Sequence, residues 1–254
     1  STATILNAAN AVIANNSSRL GKTLWTDGPA GEPIKLYAAF NERDEAEFVI
    51  NRIQDHVAQG GKRSEAAVLY RSNAQSRVFE EGLLAAGIPY RVYGGLRFFE
   101  RAEIKDALAY LRLVMNRDDD PSFERVVNVP PRGIGARTVE AVREHARGAG
   151  TSLWRAAAAL IAEGTLAKRA AEALFGFLNL VETLDTDTRG DALHDQVARV
   201  IERSGLIAHH GKRTDVSGEA RVENLEELVN AAREVMRTDD SDLPPLAEFL
   251  AFAV

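Results

Sequence analysis

AAVLYRSNAQSRVFEEGLLAA, residues 66–86, joins a continuous apolar run to an amphipathic one across a polar turn. Ala66 to Tyr70 reads as a short buried strand and Asn73 to Ala86 as a helix capped by Asn73, since only the second part repeats its apolar residues at helical spacing. Outward from there the alternation continues. Ile34 to Phe40 (IKLYAAF) reads as a strand, Glu42 to Ala58 as an amphipathic helix, and Tyr90 to Tyr93 as a third strand. Strand, helix, strand, helix, strand predicts a parallel sheet covered by helices, in which loops at the strand carboxyl ends carry function. Arg71 and Asn73 lie at such an end. Upstream, Thr2 to Asn16 places Ile5, Leu6, Ala9, Val12 and Ile13 on one helical face, before the turn-rich Thr26 to Pro33.

After Arg101 the strand rhythm stops. Helical patterns follow one another at Ala102 to Met115, Ser122 to Val127, Ala136 to Arg147, Ser152 to Ala162, Leu166 to Leu184, Leu193 to Arg203 and Arg221 to Met236. The predicted fold class is α/β followed by all-α, with one domain over residues 1–95 and a helical one over 96–254. Gly94 and Gly95 stand at the join, where paired glycines permit backbone angles closed to other residues, and they form the candidate hinge.

At 254 residues the chain has room for two ordinary domains, and 45% hydrophobic with 27% charged residues excludes long disorder and collagen-like repeats. No apolar run is long enough for a membrane span. Zero Cys removes disulfides and thiolate metal sites, which fits a reducing cytoplasm. Ser1 in place of an initiator Met, with no apolar leader after it, fits a chain that begins inside a longer protein rather than a secreted one. The net charge of −6 argues against indiscriminate coating of nucleic acid, yet Lys62 to Arg147 holds 15 Lys and Arg against 12 Asp and Glu. That middle suits phosphate better than the acidic flanks do.

Within it, Pro130-Pro131-Arg132-Gly133-Ile134-Gly135-Ala136-Arg137-Thr138 is the sharpest local signal. Two prolines stop the preceding segment, Gly-Ile-Gly turns the chain, and a helix begins at once. Such a turn leaves backbone N–H groups unpaired at a helix N-terminus, where the macrodipole also favours an anion. Arg132, Arg137 and the Thr138 hydroxyl stand near enough to add contacts, and the pattern resembles a helix-hairpin-helix DNA-binding element. The competing reading is an ordinary interhelical turn whose glycines serve only sterics. Tyr70 to Arg77 (YRSNAQSR) offers guanidinium and amide groups suited to an extended single strand, or simply a helix cap with exposed polar residues. Phe98 and Phe99 are either a stacking platform or core, and Asp118, Asp119 and Asp120 are either a metal cluster or a helix cap. There is no G-x-x-x-x-G-K-[ST] phosphate loop, no zinc-ligand spacing among the five His residues and no nucleophile elbow, so no catalytic residue or metal site is predicted here.

Several long blocks, among them AVLYRSNAQSRVFEEGLL, PYRVYGGLRFFERAEIKDALAYLRLVMN, FERVVNVPPRGIGARTVE and RVENLEELV, resemble the UvrD, PcrA and Rep family of superfamily 1 DNA helicases, over essentially the whole chain. The resemblance implies part of an ATP-dependent 3′ to 5′ DNA helicase that unwinds duplex during excision and mismatch repair in the bacterial cytoplasm, at the nucleoid. It implies a partial RecA-like parallel-sheet domain, then a helical accessory domain carrying the helix-hairpin-helix element and incomplete at its C-terminal end. Carried over residue by residue, Arg71, Asn73 and Arg77 would hold single-stranded DNA. Gly133, Ile134, Gly135 and Thr138 would hold duplex, helped by Lys105, and Gly94 and Gly95 would be the swivel. ATP and Mg²⁺ would serve the full-length protein, with none bound to this stretch, which alone should be inactive. Partners would be single-stranded and duplex DNA and repair proteins, with no membrane, and an unpaired strand edge would invite self-association. Two alternatives stand beside this: a free-standing helix-hairpin-helix module without a motor, and part of a helicase-nuclease of the AddA or RecB kind.

Overall fold

The computed structural model describes residues 1–16, 22–92, 97–212, 216–234 and 243–253. The chain divides into two compact units, Ser1–Arg63 and Ser64–Val254.

The first unit holds α1 (Ala3–Ile13) and α2 (Glu42–Ala58). Helix α2 starts where the Asn41 side chain accepts the Asp44 amide at 2.9 Å, and Glu42, Asp44 and Glu45 put negative charge at the positive end of the helix dipole. Ahead of it, the Tyr37 ring stacks on Phe48 with centroids 3.9 Å apart, and its hydroxyl donates to Asp44. Asn10 of α1 clasps the Leu24 backbone in both directions, donating to its carbonyl at 2.8 Å and accepting its amide at 3.0 Å.

The second unit is a helical assembly: α3 (Ser76–Ala85), α4 (Ala102–Met115), α5 (Asp120–Val126), α6 (Ala136–Ala149), α7 (Leu153–Glu163), α8 (Lys168–Thr188), α9 (Leu193–Arg203), α10 (Leu206–Gly211), α11 (Val216–Glu234) and α12 (Pro245–Phe252). Its centre is α4, whose Ile104, Ala107, Leu108, Leu111 and Leu113 are buried on nearly every side. A helix buried over most of its circumference has to be surrounded, and α5, α8, α9, α11 and α12 pack against it. Phe177 of α8 meets Phe123 edge to face at 5.5 Å and lies 6.5 and 6.4 Å from the rings of Tyr110 and Trp154. Tyr110 can be fully buried because its hydroxyl donates to the Val129 carbonyl at 2.6 Å. The acidic run resolves into caps and ties: Asp119 accepts the Ser122 amide, Asp120 the Leu153 amide, and Asp118 pairs with Ser152 and Arg155.

The α/β expectation is overturned. Among the described residues there are helices and no strand. Ile34 to Phe40, Ala66 to Tyr70 and Tyr90 to Val92 run without a ladder, and Leu36, Phe40 and Leu69 are 97%, 97% and 95% exposed. The reason is that strand and helix are stabilised differently. A helix satisfies its own backbone, whereas a strand needs a second strand brought in from elsewhere, and an apolar run does not supply one. The partial RecA-like parallel sheet is thus replaced by extended connections between helices. Tyr93 and the candidate hinge, Gly94 and Gly95, lie outside the described residues.

Truncating Phe177 to Ala should remove the ring on which three other aromatic side chains converge. We expect a loss of about 3–5 kcal/mol of unfolding free energy, measured by urea denaturation. A loss below about 1 kcal/mol, the scale of a surface substitution, would contradict a core centred there.

Candidate nucleic-acid interface

The turn at 130–138 is held from below. Asn128 turns its carboxamide oxygen to the amides of Arg132 and Ile134, at 2.7 and 3.2 Å. Ile134 is buried in the core and anchors the turn. Gly133 takes φ +82°, a conformation that a side chain resists, and Gly135 forms the N-cap of α6 without any side-chain cap. With those positions fixed, the amides of Gly133, Gly135, Ala136 and Arg137 have no acceptor among the described residues. All four residues are exposed, and a Cβ built on either glycine would meet nothing within 4 Å. Thr138 is half-buried beside them, and its amide bonds back to Gly135. The result is an open arc of N–H donors at the positive end of a 14-residue helix.

Arg132 faces the other way. Its guanidinium donates to the carbonyls of Pro130 (2.9 Å) and Ser204 (2.8 Å) and lies over the rings of Tyr110 and Phe177. It ties the turn to the end of α9 rather than extending toward solvent, while Arg137 remains exposed. Burial, only partly opposed by Arg132, pushes the Tyr110 hydroxyl well above its ordinary range, which keeps it a donor to the Val129 carbonyl.

The second constellation also divides into an outer and an inner part. Arg71 and Asn73 are exposed, and Asn73 opens a short 3-10 turn, Asn73–Gln75. Asn73 does not cap α3; Gln75 instead reaches back to accept the amides of Arg71 and Ser72 at 3.0 and 2.9 Å. Arg77 is only 1% exposed, with its nitrogens donating to Glu227 (2.6 Å), Glu81 (3.0 Å) and Glu234 (3.1 Å). Burial lowers the affinity of its guanidinium for the proton, but Glu81 and Glu227 more than offset that and hold it above its usual value. Burial likewise raises Glu81, with Arg77 opposing. Arg77 is spent inside the protein, which leaves Arg71 and Asn73 as the exposed members of this constellation.

Lys105 is exposed on α4 and lines a cavity of about 440 Å³ with Arg97, Phe98, Phe99, Arg112 and Phe252, apart from the glycine turn, whose residues do not line it. Phe98 is core, and Phe99 packs edge-on against Phe98 and Phe252. Gly94 and Gly95 lie outside the described residues. Three residues that the sequence did not single out emerge: Asn128 as organiser of the turn, and Arg101 with Asn224 beneath Asn73. An Asn two residues before a Pro-Pro turn is a signal for the first; nothing local marks the other two.

A family model for the UvrD-like helicase C-terminal domain matches residues 1–254. The chain is 56% identical to DNA helicase II of Escherichia coli strain K12 over 254 residues, all of this chain and 35% of that protein. It is 53% identical to DNA helicase II of Haemophilus influenzae, with the same coverage, and 39% identical to the ATP-dependent DNA helicase PcrA of Staphylococcus aureus over 98% of this chain and 34% of that one. It thus spans about a third of the length of these relatives.

Arg77→Ala would leave three carboxylates crowded around an uncharged gap. We expect a cost of about 3–5 kcal/mol in unfolding free energy, read by urea denaturation. A cost below about 1 kcal/mol, the scale of an exposed ion pair, would contradict the inner role given to this arginine.

Proposed function

We propose, from the premise that the chain belongs to the UvrD-like helicase C-terminal domain family, that it supplies DNA-gripping surfaces to an ATP-dependent DNA helicase. In this reading the turn at Gly133 to Thr138 grips duplex, and Arg71 with Asn73 grips the single strand. The observation that carries it is the set of four amides without an acceptor among the described residues, on the exposed residues Gly133, Gly135, Ala136 and Arg137. Backbone donors and a helix N-terminus suit phosphate oxygens and touch no base edge, so the grip is indifferent to sequence. Ile134 works from beneath as the anchor, and the Thr138 hydroxyl adds a donor at the edge. Lys105, on the exposed side of α4, adds a point charge to the same partner at a distance from the turn.

ATP and Mg²⁺ belong, in this reading, to the longer protein, as do the excision and mismatch repair partners. The sequence has no phosphate loop, and the described residues hold no group of three His, Cys, Asp or Glu placed to bind a metal ion. These residues alone do not fit a nucleotide–metal site. Among the described residues no helix is long and apolar enough to cross a membrane.

Gly135→Val in the full-length protein tests the duplex grip with little risk to the fold, because Gly135 has an ordinary φ of −80° and open space above it. Loss of one or two charge-assisted bonds should weaken duplex binding about tenfold or more while single-strand binding stays within about twofold. The slope of log affinity against log salt should stay close to that of the unsubstituted protein, because the variant removes no Lys or Arg that neutralises a phosphate. Equal weakening toward both DNA forms would overturn the division. Arg71→Ala should do the converse, weakening the single strand about tenfold and sparing duplex.

A further inference from the structure

We infer that Arg101, oriented by Asn224 of α11, is a positioning residue for the loop that presents Arg71 and Asn73. This rests on the single-strand half of the reading above. Arg101 is 8% exposed and Asn224 3%, so neither is placed to touch DNA itself. One terminal nitrogen of Arg101 donates to the Asn73 carbonyl at 3.0 Å and to the Asn224 side-chain oxygen at 2.8 Å; the other donates to the Ser76 hydroxyl at 2.7 Å. A single planar group thereby fixes the loop, the start of α3 and α11 together. Asn224 is itself held, since its nitrogen donates to Glu103 at 2.6 Å. A second tie runs alongside: the Ser72 hydroxyl donates to Glu223.

The consequence for the loop is specific. The amides of Arg71 and Ser72 are taken by Gln75 and the carbonyl of Asn73 by Arg101, so the backbone is pinned while the two side chains point to solvent. A ligand-binding loop ordered in advance does not spend binding energy on ordering itself. The geometry also requires a guanidinium. Three acceptors on three segments match a planar fork, whereas a lysine ammonium is a compact point charge that matches such a set poorly.

The test uses the full-length protein, a single-stranded oligonucleotide and a duplex of the same length. Asn224→Ala and Arg101→Lys should each weaken single-strand binding about fivefold, leave duplex binding within about twofold, and speed hydrogen exchange at the Arg71 and Ser72 amides. Adding Asn224→Ala to a variant carrying Arg71→Ala and Asn73→Ala should change single-strand affinity less than about twofold, because both positioned side chains are already gone. A further loss of about fivefold in that triple variant would overturn the inference, as would wild-type single-strand binding by Arg101→Lys, or equal loss toward both DNA forms. If Arg71→Ala weakens the single strand and Asn224→Ala does not, the inference alone falls. If Arg71→Ala has no effect, the strand reading falls and takes the inference with it.

Discussion

A guanidinium taken out of water keeps its charge, and it can stay buried only where oxygen atoms surround it. Among its described residues the second unit contains two such groups, Arg77 and Arg101, and both draw acceptors from α11: Glu227 and Glu234 for one, Asn224 for the other. Apolar packing alone would let α11 slide or roll against α4. Charge-assisted bonds from two fixed forks permit one register, and that register sets where the exposed loop at Arg71 stands. The same constraint explains why the YRSNAQSR, RFFERAEIKD and RVENLEELV blocks, far apart in the chain, meet in one place.

The glycine turn is organised on the same principle with smaller parts. Asn128 and Arg132 take up the groups that face inward, and Ile134 fills the apolar space beneath. What remains is a set of amide donors on exposed residues with no acceptor among the described residues. The two surfaces differ in chemistry: backbone amides at the turn, long polar side chains at the loop. The first suits a regular rail of phosphates, and the second a flexible strand whose bases and backbone both offer contacts.

Much of the helical pattern is legible in the sequence because it is local. α2, α4, α6 and α9 fall within a residue or two of their periodic stretches. Helix α10 is only six residues long, and α12 (PLAEFLAF) has just one charged residue and no polar face to give a period, so neither announces itself. The apolar runs at Ile34 and Ala66 mislead for the opposite reason, since strand pairing is not a property of the segment that pairs. Arg71 and Arg77 look alike in sequence, six residues apart in one polar stretch. They diverge because Glu227, 150 positions away, reaches only Arg77. Arg132 is likewise indistinguishable from Arg137 until the Ser204 carbonyl and the Tyr110 ring are in place around it.

Amide hydrogen exchange of the full-length protein, recorded free, with duplex and with single-stranded DNA, probes the two surfaces at once. Duplex should slow exchange at Gly133, Gly135, Ala136 and Arg137, and leave the amides near Arg71 as they were; single strand should do the reverse. Unchanged exchange at the four turn amides with duplex saturating would contradict the grip on duplex. Identical protection patterns with both DNA forms would contradict the separation of the two.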